Sequence, residues 1–121
     1  MPRVSELLSA NLHDVFGNRD AVTRRKAIQE VYSEGVVFTD PEGTVQGRSA
    51  VDDKAAALLA GVPVDFEFVE DGERYVGADM GALAWAFGPV GARVGRGIDV
   101  LTILDGTITS VRTFFIDTAS E

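Results

Sequence analysis

The chain has 121 residues, 45 % of them hydrophobic and 25 % charged, the ordinary mixture of one globular domain rather than a disordered segment. Nineteen acidic against eleven basic residues leave a formal charge of −8, which repels phosphate backbones and anionic lipid surfaces, so neither nucleic acid nor a membrane is an expected partner. The absence of cysteine excludes disulfides, thiolate chemistry and Cys-type zinc sites, and a single histidine excludes a histidine-rich metal site.

No apolar run reaches the roughly 18 residues of a bilayer span. Met1-Pro2-Arg3-Val4-Ser5-Glu6 lacks the apolar core of a signal peptide, so the expected location is cytoplasmic. Val4, Leu7, Leu8, Leu12, Val15 and Phe16 recur with helical spacing and predict a first helix, broken at Gly17-Asn18. Asp20 can cap a second helix over 21–33, with Ala27, Ile28, Val31 and Tyr32 inward and Gly35 as its stop. Val36–Asp40 is β-branched and aromatic and predicts a strand, turned by Pro41-Glu42-Gly43 into a short return over 44–47. Ser49 and Asp52 form a variant capping box ahead of a third helix over 50–60.

From Val62 the period becomes two. Val64, Phe66 and Phe68 alternate with Asp65 and Glu67, and Asp71-Gly72 signals a hairpin whose returning arm is Glu73–Gly77. Leu83, Trp85 and Phe87 alternate with alanines. Gly88-Pro89-Val90-Gly91 then turns the chain into a long strand over 93–104, and Asp105-Gly106 turns it again into a last strand over 108–116. Three helices interrupted by a hairpin, then a meander of antiparallel strands, give a single α+β domain over residues 1–121.

This order, with Val31-Tyr32-Ser33-Glu34-Gly35-Val36-Val37-Phe38-Thr39-Asp40-Pro41, then Gly47-Arg48-Ser49-Ala50-Val51, then Gly97-Ile98-Asp99-Val100-Leu101, resembles the nuclear transport factor 2-like superfamily. The likeness is to its SnoaL-like and ketosteroid-isomerase branches and covers nearly the whole chain. It implies a cystatin-like fold, in which a curved, mostly antiparallel sheet forms a cone closed by three N-terminal helices around an apolar pocket, often in a homodimer. The superfamily hosts isomerases, cyclases, dehydratases, hydrolases and non-catalytic binders, so the fold does not decide the function.

Two acids are the catalytic candidates. Asp40 shares a strand face with Val36 and Phe38, and a carboxylate at the edge of an apolar cavity is suited to moving protons. The resemblance implies that Asp40 is the general base; an aspartate before Pro-x-Gly is equally a turn former. Asp99 stands mid-strand among Ile98, Val100, Leu101 and Ile103, with Gly95 and Gly97 leaving free volume beside it or marking a bulge. The resemblance places it on the oxyanion-hole acid, protonated and donating; the alternative is an outward aspartate paired with Arg96 or Arg112.

The isomerase branch uses a first-helix tyrosine as its strong oxyanion donor, and here the nearest position is Leu12. Asn11 can donate instead, or satisfy a backbone group between helix and sheet. Tyr32 can point its hydroxyl into the cavity, or simply pack. The epoxide-hydrolase branch needs an arginine two residues before the strand acid, a position held by Gly97, with Arg96 on the opposite face. His13 falls away from the buried stripe, and Arg24-Arg25-Lys26 reads as a solvated face.

Phe38, Leu83, Trp85, Phe87, Leu101, Val111, Thr113 and Phe115 are the expected cavity walls, together with Asn11 and Tyr32. Such a lining suits a small hydrophobic or polycyclic molecule. The leading expectation is a cofactor-free isomerase- or cyclase-type enzyme moving a proton next to a carbonyl. A non-catalytic binder and a dimerisation module with a filled interior are the alternatives, separated by whether Asp40 and Asp99 open into one cavity. Ala84, Ala86, Ile98, Val100, Thr102 and Phe114 make the outward sheet face apolar, which predicts a homodimer through that face.

Overall fold

The computed structural model describes residues 3–116. Helix α1 runs Val4–Ser9 and continues without a break as a wider π-helical segment, Ala10–Phe16, in which the Gly17 amide reaches back to the Leu12 carbonyl at 2.8 Å. Helix α2 is Ala21–Val31, and the Asp20 carboxylate accepts from the amides of Val22 and Thr23, the cap its position suggests. Strand β1 is Tyr32–Asp40, β2 Gly43–Gln46, and helix α3 Arg48–Ala60. Strands β3 (Glu67–Val76), β4 (Met80–Gly88), β5 (Gly95–Leu104) and β6 (Thr107–Phe115) complete the chain.

All six strands form one sheet in the order β2-β1-β6-β5-β4-β3. Every pairing is antiparallel except β1 with β6, which run parallel in the middle of the sheet. The expected α+β architecture of three helices on a curved, mostly antiparallel sheet is therefore present. Leu7, Leu8, Leu12, Val15, Ile28, Tyr32, Val36, Val51, Leu83, Leu101, Ile108 and Val111 form the fully covered core between helices and sheet.

Several local expectations are corrected. Asp71-Gly72 does not turn the chain: β3 passes straight through, absorbing the extra residues in a bulge between Glu70, opposite Trp85, and Arg74, opposite Leu83. The reversal comes at Gly77–Asp79, where the Gly77 amide donates to the Met80 carbonyl at 2.7 Å. Asp105-Gly106 does make its hairpin, and both residues have the positive φ (52° and 78°) that such a two-residue turn requires. Val64 lies in a turn before β3 rather than in a strand, and β5 begins at Gly95.

Helix α2 ends at Val31, two residues short of the expected 21–33, so Tyr32 opens β1 instead of closing a helix. The Arg48 guanidinium holds that ending in place, donating to the Tyr32 carbonyl at 3.0 and 2.8 Å. Helix α3 starts at Arg48, so Ser49 lies within its first turn and caps nothing. Asp52 instead takes the guanidinium groups of Arg24 (2.7 Å) and Arg25 (3.1 Å). Arg24 is buried by this pairing, which removes it from the solvated face that the basic run suggested. Among the described residues, no helix is long and apolar enough to cross a membrane.

Candidate functional site

The concave side of the sheet, the π-helical segment and α3 enclose a cavity of about 620 Å³, within the range of small-molecule sites. Asp40 and Asp99 both line it. Its wall is largely aromatic. Phe68 stacks on Phe87 with ring centroids 4.1 Å apart and meets the edge of Trp85 at 5.3 Å, while Phe16 stacks on Phe38 at 5.3 Å.

Asp99 comes from the middle of β5, and alternation turns it inward beside Leu101. It is almost fully buried, yet both oxygens of its carboxyl accept hydrogen bonds. Oδ1 accepts from the Trp85 indole (3.1 Å) and the Thr113 hydroxyl (2.8 Å), and Oδ2 from the Asn11 amide (3.0 Å). Burial pushes the carboxyl up to about 6, against the pull of the three hydrogen bonds from Thr113, Trp85 and Asn11. All three neighbours donate. These three bonds favour the carboxylate, while burial, the larger effect, favours the protonated acid.

The glycine next to Asp99 on this face has a steric reason. A Cβ at Gly97 would sit 2.3 Å from the Phe114 carbonyl and 2.6 Å from the Trp85 ring. Trp85 occupies the expected free volume and thereby brings its indole N–H to Asp99.

Asp40, at the end of β1, is not a lone carboxylate. Its Oδ2 accepts from Lys54 at 3.0 Å and its Oδ1 from the Glu42 amide at 2.9 Å, so it closes the β1–β2 turn while fixing a cation. Lys54 also reaches Glu42 at 3.0 Å and lies 5.9 Å from the Phe38 ring centroid. Burial alone would lower its ammonium, but the hydrogen bonds and charges of Asp40 and Glu42 raise it above the ordinary lysine value, so it is charged at neutral pH.

Of the expected walls, Phe38, Trp85, Phe87, Thr113 and Phe115 line the cavity. Leu83, Leu101 and Val111 do not: they belong to the buried core between the helices and the sheet. Asn11 and Tyr32 lie one layer behind the surface, Asn11 on Asp99 and Tyr32 on Asn11, donating its hydroxyl to the Asn11 Oδ1. Sequence reasoning missed Leu12, Phe16, Phe68, Lys54, Ala57 and Leu58 as lining residues. The last three were readable as an i, i+3, i+4 set on one face of α3.

A SnoaL-like domain matches residues 10–111. The chain belongs to the SnoaL-like family. Solved structures agree with that placement at the level of the fold. A SnoaL-like family protein from Agrobacterium tumefaciens, provisionally named an isomerase, superposes with a TM-score of 0.86 at 21 % identity, over 97 % of this chain and all of the other. An NTF2-like protein of unknown function from Cytophaga hutchinsonii gives 0.72 at 15 % identity, covering 96 % and 92 %. A SnoaL-like protein from Jannaschia, provisionally named a polyketide cyclase, gives 0.75 at 18 % identity, covering 92 % and 83 %. No curated protein matches the chain.

Within this SnoaL-like domain His13 is exposed and pairs with Glu70 at 3.5 Å, outside the cavity. Arg96 reaches the cavity rim but its guanidinium faces Asp71 at 3.8 Å. With Gly97 blocked by Trp85, no arginine shares a water with Asp99 from that position.

Proposed function

We propose that this SnoaL-like protein is an acid–base enzyme acting on a small hydrophobic carbonyl compound, an isomerase or ring-closing cyclase that needs no cofactor. The observation that carries the reading is Asp99: a buried carboxylate facing an aromatic cavity, with donors on both oxygens and a proton affinity set near neutral pH. Proton transfer by a side chain is most effective when its pKa lies near the working pH. The provisional isomerase and cyclase names of structural relatives agree with this reaction class.

In the proposed step, Asp99 removes the proton α to the carbonyl, and the C–H electron pair moves onto the carbonyl oxygen as an enolate. The same proton is then returned to another carbon in isomerisation, or to the oxygen formed as the enolate attacks a second carbonyl in ring closure. The roles differ from the expectation that Asp40 is the base. Asp40 is tied to Lys54, and Lys54 is a cation that the cavity can offer to a developing oxyanion.

The aromatic walls supply most of the affinity, and the acids supply the chemistry. A second reading, binding without turnover, is favoured by Leu12, an apolar lining residue near the position where the isomerase branch carries its tyrosine donor. A thermal-shift screen with steroids, polyketide-like phenols and aryl ketones, followed by turnover assays, separates the two. Stabilising compounds that wild type leaves unchanged overturn the enzyme reading; turnover abolished in Asp99→Asn supports it.

A further inference from the structure

We propose that Asn11, oriented by the hydroxyl of Tyr32, is a positioning residue that leaves Oδ2 of Asp99 as the proton-accepting atom and sets how readily that atom takes a proton. The inference deepens the reading of Asp99 as a base and rests on it.

Each oxygen of a carboxylate offers two lone-pair sites. Oδ1 has both filled, by Trp85 at 3.1 Å and Thr113 at 2.8 Å. Oδ2 has one filled, by Asn11 at 3.0 Å, and one open. The open site is where a substrate proton is received.

An asparagine amide presents a donor end and an acceptor end, and only its partners decide which faces where. Tyr32 is fully buried, and the hydroxyl proton it carries needs an acceptor, which is Asn11 Oδ1. Burial first, and the Asp99 charge second, hold the phenol well above its ordinary ionisation range, so it keeps that proton throughout the working pH range. With the Asn11 Oδ1 held by Tyr32, its Nδ2 points at Asp99. Without the hydroxyl the amide can turn and set an oxygen against the carboxylate, which disfavours the charged form.

The other groups packed on Asp99, namely Trp85 of β4, Thr113 of β6 and Asn11 of the π-helical segment, carry no charge. Tyr32 is the titratable group that reaches it through this network. Asp40, Glu42, Lys54 and Arg96 line the same cavity, and His13 and Glu70 pair with each other outside it.

The protein carries its own reporter. Trp85 is the only tryptophan, and its indole N–H rests on the Asp99 carboxyl, so its fluorescence follows the ionisation of that group with no substrate present. Wild type is expected to show a midpoint near pH 6 in a titration from pH 4 to 8. Asn11→Leu, close in volume and without a donor, is expected to raise the midpoint by about one pH unit, and Tyr32→Phe by about half a unit. The double variant should titrate where Asn11→Leu does, because Tyr32 acts through Asn11.

An unchanged midpoint in Tyr32→Phe overturns the proposal, as do shifts that add in the double variant or a wild-type signal flat across the range. Circular dichroism checks the fold of each variant. If Asn11→Leu does not fold, the conservative Tyr32→Phe alone decides. A shifted midpoint in a protein that turns over none of the screened compounds counts against the enzyme reading and for the pair.

Discussion

Replacing Asp99 by asparagine should make the protein more stable at neutral pH. Burial raises the carboxyl from the ordinary 3.8 to about 6, so the folded state binds that proton more tightly than the unfolded chain. The contribution is fully present below pH 3.8 and is lost as pH rises through 6. At pH 7.5 the folded protein therefore carries a cost of about two pH units at roughly 1.4 kcal/mol each, or about 3 kcal/mol. Asparagine removes that charge. Its oxygen can still accept from Trp85 and Thr113, but its amide nitrogen meets that of Asn11, which must turn and leave the Tyr32 proton without its acceptor, at about 1 kcal/mol.

The net gain is about 2 kcal/mol, or roughly 5–10 °C in melting temperature for a domain of this size. Urea unfolding of both proteins at pH 7.5 and pH 4.5 measures it, since other titrating groups cancel in the difference. A variant no more stable than wild type at pH 7.5, or equally stabilised at both pH values, refutes the reasoning. The same substitution removes the proposed base, so stability and activity should move in opposite directions at one residue.

For a compound that is turned over, kcat/KM should fall below about pH 6 as Asp99 is protonated, and a profile flat from pH 5 to 8 argues against it. Asp99→Asn should lower turnover about 10²–10⁴-fold, whereas Asp40→Asn, which leaves Lys54 paired with Glu42 and the proposed base in place, should cost less than about tenfold; the reverse order restores Asp40 as base. Gly97→Ala should destabilise by about 1–3 kcal/mol in chemical denaturation, because its Cβ meets the Phe114 carbonyl and the Trp85 ring. We also propose that a second copy covers the outward face of β4–β6 around Ile98, Val100 and Phe114; sedimentation at micromolar concentration should give twice the single-chain mass, and Val100→Glu should halve it.

The sequence carried the architecture because its signals there are local and redundant. Helical stripes, an Asp20 cap and two-residue alternation each point to one element, and the family motifs place them in order. Asp99 was legible for the same reason, as an acid interrupting an apolar strand. What it would do there was not, because its role depends on Asn11, Trp85 and Thr113, which come from three other elements. Lys54 escaped notice because it stands in a polar stretch beside Asp52 and Asp53, and only the closing of α3 over β1 turns it toward Asp40. Tyr32 continues the helical spacing of Ala27, Ile28 and Val31, and nothing in its neighbours foretells that Arg48, sixteen residues later, fastens the helix end there. Asp71-Gly72 has the composition of a turn, but pairing with β4 on both sides of the pair extends the strand through it.

The parallel pairing of β1 with β6 has a kinetic consequence. Between Val37, Phe38 and Thr39 and their partners Ser110, Val111 and Arg112 lie β2, α3 and three further strands, so the β1–β2 hairpin is joined to the four-stranded meander by the strand pairing most distant in sequence. Such a closure has a large loop-entropy cost before it returns any stabilisation. The β3–β6 meander can assemble from near neighbours, whereas the seam must wait for the last strand. Until it closes, β1 and β6 each present an unpaired edge, and their pairing is the strand contact with the largest loop to close.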